Sequence, residues 1–153
     1  MEINGLPLHP LVVHAAVVFG PLSALAALAY TLVPAWRDRM RWPTLVAVLL
    51  ATATIWAAYL TGVSFRDSKD FFSTGALGVK IEHHKALAGV LRLVTSGFAV
   101  VTVLAVWLHD RGGAVRIALA GLVSVAAIAT LVYTVLTGDA GAQAVWGQSQ
   151  ASQ

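Results

Sequence analysis

Histidines and one arginine are the residues best suited to chemistry in this chain, and they lie at or just inside the ends of long apolar segments. His9 and His14 lie near the start of the first segment, and His83 and His84 precede the third. Arg92 follows two helical turns after His84. Neutral imidazole can ligate a transition metal or carry a proton. Ionisable side chains are costly inside a bilayer, so each of these residues needs a partner or a function.

Helical spacing predicts which of the paired histidines faces the inside of a bundle. His84 shares a stripe with Ala88, Arg92 and Thr95, at steps of four, four and three residues. That stripe is polar and is expected to face other helices. His83 falls on an apolar stripe, which suits lipid or the membrane interface. His84 is therefore the better candidate for an internal role.

The first segment leaves two candidates open. His9 lies on a seam of small residues with Ala16 and Gly20. His14 lies about 140° away from His9 at 100° per residue. Either imidazole could point inward, because a helix in a bundle touches two neighbours.

Two imidazoles facing each other across a membrane bundle could be the axial ligands of a b-type haem. His14 and His84 are the predicted pair of iron ligands, with His9 as a further cofactor-binding candidate. Arg92 could then bind a propionate. The structural alternatives are a histidine bonded to a backbone carbonyl, and an Arg92 that reaches toward the headgroups or pairs with a carboxylate or carbonyl. His83 and His109 are predicted to be interfacial.

Other kinds of site find little support. None of the apolar segments has Asp or Glu in its interior, which disfavours a metal transporter or a proton relay. Cysteine is absent, so thiolate sites are excluded. No intramembrane nucleophile–base pair, zinc-protease motif or phosphate-binding glycine loop occurs, so we do not expect an enzyme. The net charge of +3 is dispersed between apolar blocks and predicts no nucleic-acid partner.

The elements that position these residues are predicted to be membrane-spanning helices. Hydrophobic residues make up 58% of the 153 residues and charged residues only 11%, against about 25% charged in a typical soluble domain. A helix rises about 1.5 Å per residue, so about 20 apolar residues cross a bilayer. We predict an all-α integral membrane protein, a single up-down-up-down four-helix bundle over 1–153. The predicted spans are 9–33, 43–63, 84–108 and 114–136, and residues 137–153 form a polar tail.

The distribution of arginine predicts the orientation. The short loops Trp36–Trp42 and His109–Gly113 carry most of it, whereas Ser64–His83 mixes both charges. The positive-inside rule places the short loops in the cytoplasm and both termini outside a bacterial plasma membrane. The outer half then collects the candidate residues His9, His14, His84 and Arg92, and plain helix packing is expected in the cytoplasmic half.

Three segments resemble the DUF2231 family of predicted bacterial membrane proteins. Leu8–His14 is similar to the family's opening motif, and Glu82–Leu87 is similar to its acidic-His-x-x-Leu element, with His84 as the matching histidine. Thr137–Trp146 resembles the Gly- and Ala-rich closing segment. Ala15-Ala16 replaces the Phe-Pro of many members, and Asp139 stands where some members have a histidine. A role that depends on a closing histidine is therefore not expected here.

The resemblance implies a redox setting. The family is similar to four-helix membrane cytochromes that hold haem b between histidines, and some relatives are fused to Rieske iron–sulfur domains. The first hypothesis is an electron-transfer protein or redox anchor, whose partner is another membrane protein or an extracytoplasmic redox protein. The alternative is a haem-free structural or accessory subunit that docks a partner at the outer face.

Overall fold

The computed structural model describes residues 2–3, 6–67 and 75–146, and these form a four-helix bundle. Strands β1 (Glu2–Ile3) and β2 (Leu6–Pro7) pair antiparallel ahead of the first helix. The helices are α1 (Leu8–Leu32), α2 (Arg37–Asp67), α3 (Gly75–Trp107) and α4 (Gly113–Trp146), with a 3-10 turn at Pro34–Trp36. All four are long and apolar enough to cross a membrane. The predicted all-α membrane bundle is confirmed.

The helices extend further than the hydropathy pattern predicted. Helix α4 continues through Thr137 to Trp146, so most of the expected polar tail is helical. Helix α3 begins at Gly75, well before the predicted start of its span. The physical reason is that the apolar run measures only the part of a helix suited to lipid. Neither flank carries a proline, so both continue the same backbone hydrogen bonding.

The two ends of the bundle differ in their connections. The end where α1 begins and α4 ends, here called the terminal end, also holds the α2–α3 connection. The opposite end, the hairpin end, has two short connections. One of them is the turn before Gly113, whose φ of +60° lies in the left-handed region that glycine adopts without a Cβ penalty.

The helices pack along positions spaced alternately by four and three residues. The inward face of α3 consists of His84, Ala88, Leu91, Thr95, Phe98, Thr102 and Ala105, and His109 continues the same spacing just beyond the helix; all are buried or half-buried. An alternating repeat of this kind is typical of left-handed bundles. The predicted stripe through Arg92 is wrong by one residue. Two successive steps of four rotate about 80° away from a face, whereas a step of three brings it back.

Small and hydroxylated residues line the contacts between helices. Ala24, Ala27 and Ala127 are fully buried, as are Thr95 and Thr130. The two threonine hydroxyls donate to carbonyls one turn earlier in their own helices, at 2.8 Å and 2.9 Å. Their polar atoms are thus satisfied without a partner from another helix, which suits packing in lipid.

The outward faces carry large apolar side chains. Trp107 is 76% exposed, Ile117 74% and Leu11 63%. Lipid tails are the solvent that accepts such a surface, because a soluble protein would bury part of it.

A polar cluster at the hairpin end corrects the prediction that this half is plain helix packing. His109 was expected at the interface, but it is 5% exposed. Its Nδ1 lies 3.1 Å from the Tyr30 hydroxyl, and its Nε2–H donates to Asp38 at 2.9 Å. Tyr30 also donates to the Ala105 carbonyl at 3.0 Å. The fourth inward step after Thr95 therefore falls on a histidine just beyond the end of α3, which contacts side chains of α1 and α2.

Two arginines of α2 complete this end of the bundle. Arg37 donates to the carbonyl of His109, and Arg41 donates to that of Val106 at 3.0 Å. Val106 belongs to the last turn of α3 and His109 to the turn that follows it, so both arginines place a positive charge at the negative end of the helix dipole. The same arginines that predict orientation thus also fasten α2 to α3.

Tyr30→Phe is expected to lower the free energy of unfolding by about 1–3 kcal/mol, because it leaves His109 and a buried carbonyl without their shared partner. Tyr133→Phe is the matched control, since Tyr133 is half-buried and makes no hydroxyl bond to a described residue. Denaturant titration in detergent, followed by helical circular dichroism, measures both. Equal stability of the two variants would contradict the assigned role of the cluster.

Candidate functional site

A cavity of about 770 Å³ lies between the four helices at the terminal end. Small-molecule sites are commonly about 300–1,000 Å³. Its floor is the apolar cluster of Ala16, Ile55 and Leu91. Helices α1 to α4 all contribute to its walls, which are mostly apolar and include His9, His14, His84 and Lys85.

His9 of α1 is held against α2. Its Nδ1–H donates to the Ala58 carbonyl at 3.0 Å, and Thr61 Oγ1 lies 3.3 Å from the same nitrogen. One turn beyond Ala58 stands Gly62, where a Cβ would lie only 2.8 Å from Cε1 of the imidazole. The ring can occupy this position only because residue 62 has no side chain.

His84 of α3 is held against α4 in the same way. Its Nδ1–H donates to the Thr137 carbonyl at 3.0 Å. One turn beyond Thr137 stands Gly141, where a Cβ would lie 3.1 Å from Cε1 of the ring. Each hairpin therefore carries a histidine in the terminal-end part of its first helix, with a carbonyl and a glycine four residues apart on its second.

The two hairpins thus repeat one arrangement, here called the structural repeat. The shared features are a histidine, a backbone carbonyl that accepts from it, and a glycine that leaves space for the ring. The sequence indicates the histidine and the glycine, but it does not indicate which carbonyl accepts. Both imidazoles are half-buried and line the same cavity.

The hydrogen bonds determine the tautomer of both rings. A carbonyl only accepts, so Nδ1 of His9 and of His84 must carry a proton, and in the neutral ring the lone pair is then on Nε2. Metal-ligating histidines commonly have this arrangement, in which the second nitrogen donates to a carbonyl and orients the ring. The Thr137 hydroxyl lies in the wall, buried and without a partner among the described residues.

His14 occupies a different place. It lines the cavity with an exposed side chain, and its Nδ1–H donates to the Pro10 carbonyl of its own helix at 2.6 Å. His83 is exposed, as its apolar stripe predicted. The sequence left open which histidine of α1 points inward. In the structure His9 lies on the inward face of α1, and His14 lies beside it with an exposed side chain.

Arg92 does not form part of the cavity wall, contrary to its predicted place on the stripe of His84. Its guanidinium carbon lies 4.5 Å from the ring centroid of Trp56 and 4.4 Å from that of Tyr59. A cation over two aromatic faces is stabilised without a carboxylate. Arg92 therefore packs between α3 and α2. Its partners are two aromatic rings, which neither the propionate hypothesis nor its alternatives included.

The chain matches the family model described as "Predicted membrane protein (DUF2231)" over residues 5–151. It belongs to this family. No curated protein and no solved structure matches it. The DUF2231 match covers both halves of the repeat, so His9, Gly62, His84 and Gly141 all lie within the family domain.

Sequence reasoning missed Gly62, Gly141, Thr137 and Lys85 as parts of the site. A signal was present for the glycines, since each follows a histidine-bearing helix at the matching end of its hairpin. Recognising the role of these glycines requires knowing which helices are in contact, and the apolar pattern of the sequence does not specify the helix contacts.

Gly62→Ala is expected to lower the free energy of unfolding by about 1–3 kcal/mol, because the added methyl group overlaps the His9 ring and must displace it. Gly138→Ala is the control within the same cavity, since a Cβ there meets nothing within 4 Å. Alanine favours helix by about 1 kcal/mol over glycine, so the control is expected to be unchanged or slightly stabilised. Thermal unfolding in detergent measures both, and a stabilised Gly62→Ala protein would refute the close contact.

Proposed function

We propose that this DUF2231 protein binds haem b in the cavity at the terminal end, with His9 and His84 as the axial ligands. The observation that carries the proposal is the matched pair of imidazoles, one from each hairpin, each oriented by a carbonyl of the neighbouring helix. Its function is then to pass electrons within the membrane or to anchor a redox partner.

The composition of the cavity favours haem over a bare metal ion. Among the described residues, no group of three or more His, Asp or Glu side chains is placed to hold a metal. A haem supplies four nitrogens of its own and needs only two protein ligands. Apolar walls suit the macrocycle, Lys85 offers a cation for a propionate, and the unpartnered Thr137 hydroxyl offers a hydrogen bond.

Each residue has a defined task in this proposal. A bound haem supplies one-electron chemistry. The carbonyls of Ala58 and Thr137 hold the imidazoles in the tautomer with the lone pair on Nε2. Gly62 and Gly141 give the rings space, and the floor of Ala16, Ile55 and Leu91 keeps water from the other half of the bundle.

Orientation and partners follow from the predicted charge distribution. With the arginine-rich hairpin end in the cytoplasm, the cavity lies in the outer half of a bacterial plasma membrane. A redox partner then approaches from the membrane or from the extracytoplasmic side.

The test is the absorption spectrum of protein purified in detergent from haem-replete cells. We expect a Soret band, with a sharp α-band on reduction, at one haem per chain. His9→Ala and His84→Ala are each expected to remove it, because one axial ligand is lost. His83→Ala is the control with an exposed imidazole.

His14→Ala distinguishes the two possible ligand pairs. If it keeps the band while His9→Ala loses it, His9 and His84 are the ligands. The reverse result would restore His14 and His84 as the pair. A folded, colourless preparation would refute haem binding and leave the haem-free accessory subunit as the remaining hypothesis.

A further inference from the structure

The walls of the cavity are unevenly exposed. Five of its lining residues are exposed, and all of them are on α1 or α4: Pro10, His14, Val17, Gly138 and Ala142. Those contributed by α2 and α3 are buried or half-buried. The cavity is thus least covered on the side shared by α1 and α4.

Helical spacing shows that these exposed residues face each other. Steps of four and three lead from His14 and Val17 along α1 to Thr31, and from Gly138 and Ala142 back along α4 to Ser124. The hydroxyls of Thr31 and Ser124 are hydrogen-bonded at 3.0 Å, so these two stripes are in contact near the hairpin end. Toward the terminal end they separate around the cavity.

The gap between α1 and α4 ends, on the side of the hairpin end, at a contact between Gly20 and Thr134. A Cβ at Gly20 would lie 3.0 Å from Thr134 Oγ1, so α1 and α4 touch there. Val17, one turn closer to the terminal end, is 47% exposed. The gap therefore begins within the membrane span His9–Leu32 and opens sideways, toward lipid.

The equivalent gap between α2 and α3 is filled. The structural repeat matches α2 and α3 there to α4 and α1 on the other side. Tyr59 and Trp56 of α2 occupy this side, with Arg92 of α3 over both rings. On the open side the chain has glycine, alanine and valine instead. One seam of the repeat is plugged and the other forms a lateral opening.

His14 supplies the polar group of this opening. Because its Nδ1–H is bonded to the Pro10 carbonyl, Nε2 carries the lone pair and accepts a hydrogen bond. Helix rise places His14 about 7 Å along the axis from His9, inside the apolar part of the span. A ligand that reaches it from lipid needs an apolar body and a hydroxyl that donates.

We propose that the lateral opening between α1 and α4 binds a quinol of the membrane, with one quinol hydroxyl donating to Nε2 of His14. Among lipid-borne molecules with a hydroxylated head, the quinol class is chosen because this inference rests on the proposed redox function. The oxidised quinone has only acceptor oxygens, which the lone pair of Nε2 does not bind. The site therefore distinguishes the two forms of one molecule.

The experiment is equilibrium binding of a decyl-tailed benzoquinol to detergent-purified protein under anaerobic reductant, compared with the matching quinone and the quinol dimethyl ether. We expect the quinol to bind at least about tenfold more tightly than either, the effect of about one hydrogen bond in an apolar site. His14→Ala is expected to remove this preference, and His14→Gln to retain part of it. His83→Ala is the control.

A second variant tests the opening itself. Gly138→Tyr copies the tyrosine that closes the α2–α3 seam, and a Cβ at this position meets nothing within 4 Å. It is expected to abolish binding of the quinol while leaving helicity and monodispersity unchanged.

Equal binding of quinol and quinone, or a preference that survives His14→Ala, would overturn the proposal. Binding is measured without using the haem signal, so the two hypotheses fail separately. Haem with no quinol preference refutes only the lateral site, and a colourless protein that prefers quinol refutes only haem binding.

Discussion

The rest of the terminal end depends on one constraint: an imidazole N–H placed in lipid must find an acceptor within the protein. In His9 and His84 that acceptor is a backbone carbonyl of the adjacent helix. The bond brings the ring so close to that helix that a Cβ on the next turn would lie 2.8 Å from it at Gly62 and 3.1 Å at Gly141, so both positions are glycine. An unsatisfied polar group costs several kcal/mol in hydrocarbon, so the N–H of each histidine must be bonded. The same hydrogen bond therefore both orients the histidine and brings the two helices of its hairpin close together.

The same rule operates in reverse at the hairpin end. There the acceptors are carbonyls at and just beyond the C-terminal end of α3, and side chains reach them from neighbouring helices. Tyr30 and Arg41 donate to the carbonyls of Ala105 and Val106, Arg37 donates to that of His109, and the His109 ring joins the cluster through Tyr30. The cavity beside Tyr30 and Arg37 at this end measures only about 20 Å³, whereas the cavity between His9 and His84 at the terminal end measures about 770 Å³.

The sequence predicted the number and order of the spans because twenty apolar residues in a row allow few alternatives. It also predicted that His84 faces inward and His83 outward, since adjacent residues differ by about 100°. It could not choose between His9 and His14, because the face of α1 depends on which helices pack beside it. Arg92 was misplaced because two successive steps of four residues rotate it about 80° away from the face of His84, to where the rings of Trp56 and Tyr59 bind its cation. His109 was misplaced because hydropathy marks where lipid ends and not where protein packing ends.

The structural repeat explains why the site is formed between the hairpins and not within one of them. Each hairpin holds one imidazole through a contact between its own two helices, so each half of the site is formed within one hairpin. A ligand that binds both His9 and His84 must then join the two hairpins, and its binding free energy is added to their association. The asymmetry between the seams has the same origin. Because the repeat positions backbone and histidine alike in both halves, side-chain size alone decides which seam Tyr59 closes and which one Gly138 leaves open.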